Sequence, residues 1–474
     1  MWSDRPDASS LRELVDRLRQ VLPAPRPDAR SETRRLNWRC DPADVAEALW
    51  PRPGFLWLDQ PRSRLFANPL ASLEVRDRRA MVRGPGGVVH VDAWGFDLLE
   101  AALQAWGGPA DGRLCGYFGY ELGAQLEDVA LPQRSPRDVP DLYLALYDWR
   151  LEHEAGAWRF HRTDAWRTVR ADEIEALAQI APSKAEESVE PSAISSSPSS
   201  AGFRNAVARA VERIRNGELF QVNLCRRLET PLAPSHVWPF YRRLRAINPA
   251  SHGALIRVGP DSAVVSASPE LFVAVDGGRV RSCPIKGTRP RGRSPEEDRA
   301  LAQELQESAK DRAELAMIVD VTRNDLGRVC RTGSVKVEKH AELMTIPTLH
   351  HTYSEVTGVL RDQCGPVDLL RASFPPASIT GAPKIRAMQV AAEEEGYRRG
   401  PAMGAIGWIS LAGDLELSVA IRTATATDGR VSYLAGCGIT AESVPDEELA
   451  ESEAKTAAFR RALQGSPARV ENAR

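Results

Sequence analysis

Residues 266–283, SASPELFVAVDGGRVRSC, alternate small or apolar side chains with polar ones and turn at Asp276–Gly277–Gly278. That is the pattern of an antiparallel hairpin. It runs out at 284–292, PIKGTRPRG, where Lys286 stands between Ile285 and Gly287, with Thr288, Arg289 and Arg291 close behind. A strand that ends in a Gly/Pro loop is a usual position for working side chains. The lysine itself is informative, because only seven of the 62 basic residues are lysines. Where charge alone is needed, this chain uses arginine. Lys286 therefore offers what guanidinium cannot, a compact amine that can be made nucleophilic. A surface lysine beside a turn is the plainer alternative.

A length of 474 residues leaves room for two or three domains or one large one. With 43% hydrophobic and 27% charged residues the composition is that of an ordinary globular chain. A net charge of −2 removes the bulk electrostatic case for nucleic-acid or membrane binding. The seven cysteines include no CxxC pair, so they read as reduced thiols rather than a disulfide framework or a zinc site. No apolar run is long enough for a bilayer, and the Arg/Asp-rich start lacks a signal-peptide core. A cytoplasmic location is expected.

The first 35 residues read as a helix and a loose arm. Ser9 or Ser10 can cap it, Leu11, Leu14, Val15 and Leu18 share a face, and Pro23 and Pro25 stop it. Short strands follow, FLWLD at 55–59 and RLCGYFGYELG at 113–123, with YLALYDWRLEHE (143–154) and AWRFHRT (157–163) as a hairpin about Ala155–Gly156. A helical piece ends near Ala181, and EESVEPSAISSSPSSAG (186–202) is too poor in apolar residues to pack. The expected organisation is an extension over 1–35, an α/β region over 36–185, a Ser/Pro-rich linker over 186–202, the site-bearing region over 203–466 and a tail over 467–474.

Two stretches set carboxylates against apolar faces. The last helix, SVPDEELAESEAKTAAFRRAL, can be capped by Ser443 and takes Pro445 in its first turn. At about 100° per residue, Glu448, Glu451 and Lys455 fall close together on the side of Phe459 and Leu463. Bare charge pointing inward is costly unless paired or bound to a cation. A solvated face on an Ala/Glu-rich helix is the alternative. In SAKDRAELAMIVDVTRNDLGRV, Asp311 and Glu314 precede the apolar run LAMIV on a helix expected over roughly 295–319. Glutamates converging from separate helices without His or Cys suit a hard cation such as Mg²⁺, which leaves positions for a substrate oxyanion.

Five ordered motifs, PIKGTRPRG, SAKDRAE…MIVDVTRNDLGRV, FPPASITGAPKIRAM, GAIGW…GDLELSVAIRTA and AGCGITAESVPDEELAESEAK, together resemble the chorismate-utilising enzymes. That family includes anthranilate synthase component I and aminodeoxychorismate synthase component I. The resemblance is dense over 203–463 and traceable over 36–182, where GYFGYELG carries it. It implies an α+β fold, two orthogonally packed, mostly antiparallel sheets flanked by helices as α/β/β/α. Within the family, lysine at 286 and QVNL at 221–224 resemble the branch that aminates chorismate at C4, towards p-aminobenzoate and folate.

The resemblance also implies roles. Lys286 would attack ring C2 while the C4 hydroxyl leaves with a proton from Glu270, and ammonia would then enter at C4 and expel the lysine. Mg²⁺ held by Glu314 and Glu451, with Glu448 acting through water, would seat the ring carboxylate. Arg422 would clamp the pyruvyl carboxylate, with backbone N–H groups from Gly436 to Gly438 near the oxyanions. His351, Thr380, Gly381 and Lys455 would line the pocket, with Lys384 facing an anionic group. Trp408 stands where these enzymes commonly carry tyrosine, so recognition on the pyruvyl side is expected to differ. No G-x-C-x-G nucleophile elbow is present, so ammonia would come from a separate glutamine amidotransferase subunit. Formation of anthranilate or another chorismate product is the near alternative. A non-catalytic phosphate- or nucleotide-binding module is the distant one, and no G-x-x-x-x-G-K-[ST] spacing supports it.

Overall fold

A computed structural model of the chain describes residues 8–108, 111–127, 129–166, 193–346 and 349–464. The hairpin pairs Leu271–Asp276 with Arg279–Cys283, and Gly277 and Gly278 both hold the positive φ its turn requires. Among the described residues the strands gather into two twelve-stranded antiparallel sheets. Neither sheet belongs to one half of the sequence. In the first, Leu56–Asp59 pairs with His252–Gly259, and in the second, Arg113–Phe118 pairs with Ala405–Ser410.

Side-chain alternation then builds the layers. A core between the sheets takes Leu56, Leu58 and Val264 from the first and Tyr117, Ala145 and Ile406 from the second. The outer face of the second sheet packs on Ala8–Val21, Gly95–Trp106, Ala309–Gly327 and Pro366–Ser373. The first sheet packs on Pro42–Leu49, Val237–Ile247 and Ala457–Leu463, and further along on Ser200–Arg215, Lys384–Glu395 and Pro445–Lys455. This is the α/β/β/α layering of an α+β chain. Among the described residues no helix is long and apolar enough to cross a membrane.

Several local readings change, each for a physical reason. No loose arm fills the stretch before Leu36: Ser31–Leu36 pairs with Ala157–Thr163 at the edge of the first sheet, although SETRRL is too polar to announce a strand. YLALYDWRLEHE is two strands broken at Asp148, Leu142–Tyr147 in the second sheet and Trp149–Glu154 in the first. The end of the expected linker is ordered, since Ser195–Ser197 pairs with Arg227–Glu229 and Ser199 caps Ser200–Arg215. The earlier part of that linker, 186–192, and the helical piece near Ala181 lie outside the described residues. The helix expected over 295–319 is two, Pro295–Glu307 and Ala309–Gly327, because Ser308 is extended and its hydroxyl accepts from Asp311 N at 3.2 Å. The last helix breaks at Thr456 and its N-cap is Val444, while Ser443 instead donates to Glu448 Oε1 at 2.6 Å.

Candidate active site

Two of the chain's crossings between the sheets lie side by side, and both carry candidate site residues. Ser262–Ser268 leads through Glu270 into Leu271–Asp276, and Leu415–Val419 returns through Arg422 to Thr423–Thr427. Backbone bonds staple them, with Val419 N donating to Glu270 O at 3.0 Å and Ala267 N to Arg422 O at 3.1 Å. Arg422 holds φ +50°, a left-handed backbone that a non-glycine residue keeps only where its surroundings impose it. Glu270 is 3% exposed, and burial pushes its carboxyl up to about 7 against the opposing pull of Ser378, Lys286 and Arg422. A carboxyl so poised can carry a proton near neutral pH and give it up.

Lys286 arrives from the second sheet on the strand Ile285–Pro290, whose pairing shifts between Lys286 and Thr288, where Gly287 holds φ +72°. Opposite it, in the first sheet, Arg430–Ile439 pairs with Gln221–Pro231 so that Gly438 lies beside Asn223 and Gly436 beside Cys225. Cys437 and Ile439 alternate away, into the core under the helices. A Cβ added at Gly438 would stand 2.3 Å from Gln221 Nε2 and 3.5 Å from Lys286 Nζ. Glycine at 438 leaves room for the amine. Among the described residues that amine makes no hydrogen bond or ion pair.

The remaining expected residues divide. His351 Nδ1 lies 3.0 Å from Thr288 Oγ1 and 3.3 Å from Gly287 O, and burial, with Arg422 adding to it, lowers its imidazole to about 4. It is therefore neutral, and donation from Nδ1 to the Gly287 carbonyl leaves the buried Nε2 with a free lone pair. Thr380 O accepts from Asn223 N at 2.9 Å, and Gly381, at φ +131°, sits so close to Gln221 that a Cβ would meet its backbone oxygen at 2.2 Å. Lys455 bridges Gly436 O at 2.8 Å and Glu451 Oε1 at 2.6 Å. Lys384 already has its anion, Asp325 at 2.8 Å, and also reaches Ser373 O at 2.7 Å. Trp408 belongs elsewhere. It lies opposite Glu416, six residues from Arg422, in the core between the sheets, with Arg113 Cζ 4.0 Å and Arg64 Cζ 5.4 Å from its ring. Its indole faces N-terminal arginines.

The three glutamates come from two helices. Burial raises the Glu314 carboxyl, against Lys286 and Lys310 and with help from Asp311 and Glu451. Burial also raises Glu448, despite its bond from Ser443. Glu451 is half-exposed, and although burial would raise it, Lys455 holds it below its ordinary range. Ligand atoms of Glu448, Glu451 and Cys437 lie within 4.8 Å of one another, the Cys437 thiol donating to Glu448 O at 3.3 Å. Glu448 and Glu451 bring carboxylate oxygens close enough together to fit a hard divalent cation such as Mg²⁺, while Glu314, on another helix, lies outside that group and meets it only through the field it shares with Glu451.

Two contributors escape the sequence reading. Gln221 flanks Gly438 and Gly381, and Lys310 shares the field of all three glutamates. Each had a signal, Gln221 in its alternation with Val222 and Leu224, Lys310 in its i,i+4 spacing from Glu314. The glycines give a paired expectation. Gly438→Ala displaces only the mobile end of Gln221 and crowds the amine, so it should lower kcat/KM by about tenfold or more with little loss of Tm. Gly381→Ala meets backbone at an unfavourable φ and should cost about 1–3 kcal/mol of stability by denaturant unfolding.

The sequence matches the chorismate binding enzymes over residues 55–461. It is 38% identical to aminodeoxychorismate synthase component 1 of Salmonella typhimurium over 354 residues, 73% of this chain and 75% of that one. It is 36% identical to anthranilate synthase component 1 of Streptomyces coelicolor over 381 residues, 76% of this chain and 74% of that one. The crystal structure of anthranilate synthase component I from Streptococcus pneumoniae superposes with a TM-score of 0.73 at 29% identity, covering 84% of this chain and 92% of that one. Sequence and fold agree over most of the length, and the chain belongs to the chorismate binding enzyme family.

Proposed function

We propose that the chain aminates chorismate at ring C4, giving 4-amino-4-deoxychorismate, with ammonia delivered by a glutamine amidotransferase subunit. The observation that carries this reading is the unpaired Lys286 amine across from Gly438, with Glu270 poised as an acid beside Arg422. Relatives named component 1 of aminodeoxychorismate synthase support it, and that wording suggests a second subunit.

The Lys286 lone pair forms a bond to C2, both ring double bonds shift (C1=C2 to C1=C6 and C5=C6 to C4=C5), and the C4–O bond breaks. The oxygen leaves as water with the Glu270 proton. Ammonia then bonds to C4, both double bonds shift back, and the C2–N bond breaks to return the lysine as a free amine. The new ammonium gives its proton to the Glu270 carboxylate, so chorismate and ammonia become aminodeoxychorismate and water. Arg422 pairs with a substrate carboxylate through its planar fork, and the neutral His351 offers Nε2 as an acceptor. Mg²⁺ held by Glu314, Glu451 and Glu448 would supply positive charge for a second carboxylate.

The test is incubation of the purified chain with chorismate, Mg²⁺ and ammonium, followed by chromatography. Aminodeoxychorismate is expected, with no turnover on glutamine alone and none after chelation of divalent cations. Anthranilate or isochorismate would overturn the product assignment. Turnover on glutamine by the chain alone would remove the partner from the scheme, and undiminished turnover in chelator would remove the metal.

A further inference from the structure

Arg399 is 5% exposed, and its guanidinium is spent on the backbone that floors the site. Nη2 donates to Asn223 O at 2.6 Å and Nη1 to Ile379 O at 3.2 Å. Nε and Nη2 also hold the Glu395 carboxylate at 2.9 and 2.6 Å, and Glu395 Oε1 in turn accepts from Cys225 N at 2.8 Å. One side chain thus joins the turn entering Thr380–Gly381 to the strand carrying Gln221, Asn223 and Cys225. These are the segments on which Gly381 and Gly438 close.

The support reaches back into the N-terminal half. Glu121 accepts from Arg399 N at 2.6 Å and from Gly400 N at 3.0 Å. The Tyr120 ring lies 4.4 Å from the guanidinium carbon, with its hydroxyl beside Thr380. Both residues come from GYFGYELG, more than 250 positions away in sequence. A planar fork can meet two carbonyls and a carboxylate at once, whereas an ammonium with three donors on a flexible stem cannot hold that arrangement.

We propose that Arg399 is a positioning residue for chorismate, fixing the Ile379–Gly381 turn against the Gln221–Cys225 strand and making Tyr120 and Glu121 part of the same support. The proposal rests on chorismate as the substrate and is independent of the product. The test measures chorismate Kd by calorimetry, and KM and kcat, for wild type, Arg399→Lys, Arg399→Ala and Arg371→Lys. Arg371 is a matched control, a buried arginine paired with Asp97 at 2.7 Å and Glu100 at 2.6 Å away from these segments.

Arg399→Lys is expected to fold and to raise Kd and KM by about tenfold or more, while Arg371→Lys lowers Tm and leaves Kd unmoved. Guanidinium, and not urea, should restore tight binding to Arg399→Ala, and if that variant fails to fold, Arg399→Lys carries the test alone. A Kd within twofold of wild type in Arg399→Lys overturns the proposal, as does an equal shift in Arg371→Lys. A wild type that does not bind chorismate overturns the substrate reading, and this proposal with it.

Discussion

Replacing Lys286 by alanine is expected to lower kcat/KM for chorismate amination by about three orders of magnitude or more, with little change in Tm. The asymmetry follows from how the side chain is held. Lys384 and Lys455 are tied to carboxylates and carbonyl oxygens, and losing Lys384 would strand the buried Asp325. The Lys286 amine leaves no such partner behind. Its truncation should be nearly silent in unfolding and severe in turnover. KM should stay within a few-fold, because in the proposed scheme the lysine acts by forming a bond and Arg422 and the metal ligands do the binding. Chorismate without ammonia should load the wild type with the mass of chorismate less water, and Lys286→Ala should show no gain. Turnover near the wild-type rate in the variant would sink the nucleophile, and a normal adduct would move it to another residue.

How far this site can be read from the sequence depends on whether a relation is local. Strand ends, turns and helix faces are local, so the exit of a hairpin at Lys286 and the shared face of Glu448 and Glu451 follow from periods of two and 3.6 residues. Choice of sheet is not local. Nothing in YLALYDWRLEHE says that Asp148 ends one sheet and begins another, because each half alternates as a strand of either would. The crossings at Glu270 and Arg422, which bring the two side chains together, depend on that same choice. Ser308 was readable in principle, since Ser308–Ala309–Lys310–Asp311 has the spacing of a helix cap, but the apolar spacing runs on past it. Trp408 marks where a local pattern misleads, because its motif lies in a site-bearing stretch while its neighbours Arg64 and Arg113 come from distant strands. Arg399 left only its i,i+4 spacing from Glu395 as a trace, since its other guanidinium hydrogen bonds go to backbone oxygens, which any residue supplies.

Glu270→Gln is expected to lower kcat by about two to four orders of magnitude and to remove a pH dependence along with it. Burial holds the wild-type carboxyl at about 7, and only the protonated form can donate to the leaving hydroxyl. With free ammonia held constant, kcat/KM should be flat below about pH 7 and fall about tenfold per unit above it. Glutamine carries no ionisable proton, so the residual activity of the variant should lack that fall. Stability supplies an independent check with a determined sign. An acid whose folded value is raised from 4.5 to about 7 takes up a proton on folding across that interval, so the folded state loses stability as pH rises through it. The amide ionises in neither state and escapes that loss. Denaturant unfolding at pH 8 should therefore find Glu270→Gln at least as stable as wild type, the two converging or reversing at pH 4. A variant less stable than wild type at pH 8 would mean that the carboxylate is held by contacts stronger than its burial, and that it stays ionised where the proposed chemistry needs an acid.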